Sequence, residues 1–68
     1  MHTYTYTGKS TRPTNLYVIH TDVAASTMTN KNIQHCEWEE DTAEIKVTFD
    51  VELSGADKTE LDGFLADF

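Results

Sequence analysis

The sequence has one cysteine, one proline and three glycines in 68 residues. A lone thiol, Cys36, cannot close an intrachain disulfide, and no Cys/His set stands at zinc-ligand spacing, so neither common staple of a small domain is expected. Basic side chains are also scarce: five Lys and Arg against twelve Asp and Glu give a formal net charge of −7. Phosphate backbones are gripped by Lys and Arg, so direct nucleic-acid binding is not expected. No apolar run is long enough to cross a bilayer and no basic-then-apolar leader opens the sequence, so neither a membrane span nor a secretory signal is expected. No catalytic or cofactor-binding motif stands out, and no small-molecule substrate is indicated.

What is present is enough for one small globular domain over residues 1–68, with 38% hydrophobic residues to build a single core. Domains of this size bury only about 60% of their unfolded surface, and a lone core supplies roughly 3–5 kcal/mol. With disulfide and zinc excluded, the remaining source of stability is a neighbour. The expected partner is a second copy or a larger protein assembly.

The firmest local pattern lies in the C-terminal third. Over residues 43–53, Ala43, Ile45, Val47, Phe49, Val51 and Leu53 face one way and Glu44, Lys46, Thr48, Asp50 and Glu52 the other, which is a half-buried strand. Ser54-Gly55-Ala56-Asp57 follows as an N-cap pattern, and Leu61, Phe64, Leu65 and Phe68 recur at helical spacing. Gly63 costs this helix about 1 kcal/mol relative to alanine, and Asp67 puts negative charge at the wrong end of its dipole. The helix is therefore held by burying its apolar side chains against Val47, Phe49 and Val51. Gly63 is either a close approach of helix to sheet or simply a tolerated glycine.

Residues 32–38 and 43–53 read as a hairpin around the polar stretch Glu39-Glu40-Asp41-Thr42. With Glu40 and Asp41 as the turn, Trp38 opposes Ala43, Cys36 opposes Ile45 and Gln34 opposes Val47 on the core face. His35 then faces Lys46, while Glu37 faces Glu44. That repulsion is met by water, by a cation, or by a longer loop; the first register with screening is favoured.

Upstream, Thr3-Tyr4-Thr5-Tyr6-Thr7 alternates two strand-favouring types and reads as a strand. Gly8 to Pro13 follows as a polar turn or arm, so that 1–14 is expected to form an extended arm or an edge strand. Residues 15–20 read as a strand with Leu16 and Val18 on one face and Tyr17 and Ile19 on the other, apolar both ways. Asp22 is the expected cap of a short helical turn through Val23, Ala24, Ala25 and Met28, with a long loop as the alternative. Tyr4, Tyr6, Arg12, Tyr17 and Ile19 are the candidate interface residues, from the N-terminal arm and this two-sided strand.

Chemistry-bearing groups do not converge. His35 and Cys36 are neighbours on a strand and point to opposite faces, which excludes a nucleophile–base pair between them. His20, Asp22 and a serine could be drawn as a triad, but no nucleophile elbow supports it. Glu37, Glu39, Glu40, Asp41 and Glu44 are all oxygen ligands, yet they lack the glycine and spacing of a calcium loop and read as a solvated acidic turn. No catalytic, cofactor or metal residue is assigned.

The stretch from Val47 to Leu61, in the pattern F-D-x-x-L-S-x-A-[DE]-K-x-x-L, resembles a strand–helix ending of small virion proteins of tailed bacteriophages. The likeness covers the last third of the chain only. It implies a non-enzymatic virion building block, made in the host cytoplasm, that serves as capsid decoration or as a tail or head–tail accessory. It carries over no functional residue.

The expected fold is α+β, a small antiparallel sheet of three to four strands packed against one C-terminal helix. The favoured function is a structural protein that joins a homo-oligomer or larger assembly. The alternative is a small acidic inhibitor or regulator that masks a basic surface on a nucleic-acid-handling protein.

Overall fold

A computed structural model describes residues 1–8 and 16–66. In chain order the elements are β1 (His2–Tyr6), α1 (Tyr17–Ala24), β2 (Ile33–Glu39), β3 (Glu44–Phe49) and α2 (Gly55–Leu65). The strands form one antiparallel sheet in the order β1-β3-β2, so the last strand in sequence is the central one. The α+β expectation holds, with three strands and a second helix among the described residues.

Alternation along β3 makes the core. Ile45, Val47 and Phe49 are fully buried, and join Ile19 and Val23 of α1, Leu61 and Leu65 of α2, and Met28 and Leu53 from the loops. Cross-strand partners on the same face extend this layer: Tyr4 and Cys36 flank Val47, and Tyr6 and Trp38 flank Ile45. The second helix starts where the capping pattern predicts. Ser54 is extended at φ −65° and ψ 164°, and its hydroxyl accepts the Asp57 backbone N–H at 3.2 Å. Leu61 and Leu65, one turn apart, are then buried in the same core cluster as Ile45, Val47 and Phe49.

The expected two-sided strand over 15–20 is corrected. Its described part opens a helix, because Leu16, Ile19 and Val23 stand at i, i+3 and i+7 and form one apolar stripe. That stripe buries Ile19 and Val23 and half-buries Leu16, while Tyr17 and Val18 stay in solvent at 69% and 44% exposure. Asp22 lies inside the helix instead of capping one, and the chain beyond Ala24 runs as a loop up to β2.

The hairpin register is also corrected, by two residues. Trp38 pairs with Ile45, Cys36 with Val47, Glu37 with Lys46 and Glu39 with Glu44, leaving Glu40 to Ala43 as a four-residue turn. Ala43 has φ 53°, so the turn closes through a left-handed residue. From His35 to Glu39 a shift of two preserves the face each side chain takes, but it moves the like-charge pair from Glu37–Glu44 to Glu39–Glu44; upstream, Ile33 takes the core side and Gln34, expected there, is exposed. Gln34 is accommodated by an irregularity between Ile33 and His35.

β3 stops at Phe49 instead of continuing to position 53. Asp50 turns the chain: its Oδ1 accepts the Val51 N–H at 2.8 Å and the Asn30 side-chain amide at 2.9 Å. Val51 consequently points to solvent, 60% exposed, and only Leu53 returns to the core. A Cβ at Gly63 would meet nothing within 4 Å, so this glycine does not mark a close approach to the sheet. Phe68 and Asp67 lie outside the described residues.

Candidate functional site

Pleating sorts the strands into two unlike faces. The helices occupy the apolar one. The opposite face carries Thr3 and Thr5 from β1, Glu44, Lys46 and Thr48 from β3, and His35, Glu37 and Glu39 from β2. Thr3 and Thr48 share a hydrogen bond at 2.8 Å, Lys46 lies between Thr5 and Glu37, and His35 Nε2 is 4.0 Å from Glu37 Oε2. All eight side chains are exposed or half-buried.

The two edges of the sheet differ. β2 carries Glu37 and Glu39 and the irregularity at Gln34, three features that deter another strand from pairing. β1 carries no Asp, Glu, Lys, Arg or Pro, and its ladder with β3 is regular from His2 to Tyr6. Among the described residues, nothing pairs with its outer edge.

On the helix side, β1 is fastened by its tyrosines. The Tyr4 hydroxyl accepts the Leu53 backbone N–H at 2.7 Å, and its ring meets Phe49 edge-on, with centroids 6.1 Å apart. Tyr6 donates to Asp62 Oδ1 at 2.7 Å. Lys58 Nζ lies 5.5 Å from the centroid of Tyr4 and 5.4 Å from that of Tyr6, and also pairs with Asp62 one turn along α2. Burial, and then the Asp62 carboxylate that Tyr6 donates to, push the Tyr6 phenol far above its ordinary range, so it stays a donor. Partial desolvation raises Asp62, but hydrogen bonds from Lys58 and Tyr6 and the Lys58 charge outweigh it and hold the carboxylate below its usual value.

A second polar cluster ties the loop before β2 to α2. Asp57 is 4% exposed, and its two oxygens accept the backbone N–H groups of Thr29 and Asn30, each at 2.9 Å. Glu60 accepts from the Thr27 backbone and hydroxyl, and Asp50 binds the side-chain amides of Asn30 and Asn32. The Asn30 bond above all holds the Asp50 carboxyl low. Every partner here is an amide or hydroxyl of the chain itself, so the cluster is a structural clasp.

The candidate interface residues separate accordingly. Tyr4 and Tyr6 sit side by side on the helix face of β1, half-buried. Tyr17 is exposed at the start of α1, its ring stacked on His20 at 5.5 Å. Ile19 is fully enclosed by the core and offers no surface to a partner, which corrects its place in the set. Arg12 lies outside the described residues.

Cys36 is half-buried against the core, where desolvation pushes its thiol up to about 11, while His35 is exposed on the opposite face. Among the described residues, no three potential metal ligands converge and no cleft encloses a ligand. Lys58 and Asp57 escape sequence reasoning as positioning residues, although Asp57 three positions after Ser54 is the visible half of the capping signal. Compared with family models, curated proteins and solved structures, the chain matches none.

Proposed function

We propose that the chain is a non-enzymatic structural protein that acts through protein–protein contacts, as a component of a bacteriophage virion in capsid decoration or a tail or head–tail accessory role. The observation that carries this reading is the open polar face of the sheet, with both edge strands unpaired among the described residues. A small interior supports it. Among the described residues nine hydrophobic side chains are buried, a core of the size that supplies roughly 3–5 kcal/mol without help. The strand–helix likeness from Val47 to Leu61 gives the virion its place in the reading. Mass spectrometry of density-banded particles from cells producing the chain tests it: the chain is expected in the particle band in many copies, and recovery solely as free protein would overturn the reading.

The second reading, an acidic mask for a basic protein surface, rests on the hairpin tip. Glu39, Glu40, Asp41 and Glu44 gather there, and none has a cationic partner among the described residues. Such binding weakens steeply as salt rises, whereas a structural contact persists, so a salt series on any captured partner separates the two.

A further inference from the structure

We propose that strand β1 is the edge through which this chain associates with itself. Here β1 (His2–Tyr6) of one copy pairs antiparallel with β1 of a second copy, and two three-stranded sheets become one of six strands. This deepens the assembly reading above and rests on it, since it names the edge and its occupant.

Charge selects the edge. Two copies of a chain with net charge −7 repel, and contact is least costly where acids are absent. All twelve Asp and Glu stand at position 22 or beyond, so β1 has none. Pairing through β2 instead would bring Glu37 and Glu39 of both copies into one junction. The second argument is protection. Natural edge strands are blunted by charge, proline or bulges, and β2 has two of these devices while β1 has none.

The third argument is self-complementarity. In an antiparallel pair related by a two-fold axis, residues that meet share a face, and full overlap of His2–Tyr6 sets Tyr4 opposite Tyr4, Thr3 opposite Thr5 and His2 opposite Tyr6. Threonine then meets threonine on the polar face, as Thr3 already meets Thr48 within the monomer. Aromatic rings meet on the helix face, where Tyr4 and Tyr6 still hold accessible surface. Lys58 and Asp62 lie beside those rings and pair with each other, so this pair adds no net charge to the helix side of the junction. A strand pair of five residues buries less than the ~1,200 Å² of a standard stable interface, so the dimer is weak and its population rises with concentration.

Sedimentation equilibrium of the full chain, from micromolar to millimolar concentration, tests the pairing. The wild type is expected to pass from monomer to dimer. The double variant Thr3→Glu/Thr5→Glu sets carboxylate opposite carboxylate twice across the junction, while within each monomer the new acid at position 5 faces Lys46; its dissociation constant is expected to rise roughly 10-fold. Thr3→Lys/Thr5→Glu sets lysine opposite glutamate twice and is expected to restore association to within about 3-fold of wild type. Circular dichroism checks that each variant is folded, and if one is not, concentration-dependent amide protection in wild-type β1 decides. A wild-type dimer unaffected by either variant would overturn the β1 junction and leave the assembly reading standing. A wild type that stays monomeric at millimolar concentration would overturn self-association, and the particle-band measurement alone would then judge the assembly reading.

Discussion

The Tyr6 hydroxyl and the Asp62 carboxylate meet at 2.7 Å across 56 positions of sequence, and the contact locks an edge strand to the last helix. Without it, β1 is held on its helix side chiefly by Tyr4. Tyr6→Phe removes the bond and keeps the ring. Because Asp62 is largely solvated, the loss is expected to be about 1 kcal/mol, read as a thermal midpoint about 4–8 °C lower. An unchanged midpoint would show that the hydroxyl is not a fastening point.

Asp57 is the buried acid whose removal should be most damaging. Asp57→Ala leaves the Thr29 and Asn30 amides without acceptors, with an expected loss of roughly 2–4 kcal/mol in urea unfolding. Glu60→Ala, which frees only exposed groups of Thr27, is expected to cost less than about 1 kcal/mol.

Acid stability follows from the two lowered carboxyls. Asp62 and Asp50 have folded-state pKa values below 3.8, so the folded state binds their protons less readily than the unfolded chain does. Their stabilisation is complete above that value and is lost as pH falls through the lowered folded values. Unfolding free energy is therefore expected to decline on acidification below about pH 4. Asp62→Asn should flatten part of that decline, and an identical slope in the variant would contradict the assignment.

Gly63 is exposed in the interior of α2, and a methyl group there meets nothing. Gly63→Ala is expected to stabilise the protein by about 0.5–1 kcal/mol, measured by the shift in urea midpoint at constant slope. Destabilisation would mean that the helix needs glycine at this position.

Local patterns were readable where local forces decide. The alternation from Glu44 to Phe49 and the Ser54 cap both reflect interactions within a few residues, and both are in the fold. Leu16 to His20 misleads because Val18 and Ile19 are β-branched and favour strands, whereas the stripe that wins includes Val23, beyond that window. The hairpin slips by two because nothing in Glu40 to Ala43 signals that an alanine takes the left-handed region. Val51 continues the alternation on paper, but Asp50, recruited by Asn30 and Asn32, has already ended the strand. The clasp around Asp57 joins positions 27 and 28 residues apart, which no local period encodes. For the candidate interface, the tyrosines of β1 were legible as strand aromatics, and they are half-buried on its helix face, while the burial of Ile19 depended on the helix.

Amide hydrogen exchange of the wild-type chain at low and high concentration probes the β1 junction at the backbone itself. Outward-facing amides between His2 and Tyr6 are expected to gain protection as concentration rises, while those on the outer edge of β2 stay unchanged. Protection that rises on β2 instead, or on neither edge, would contradict association through β1.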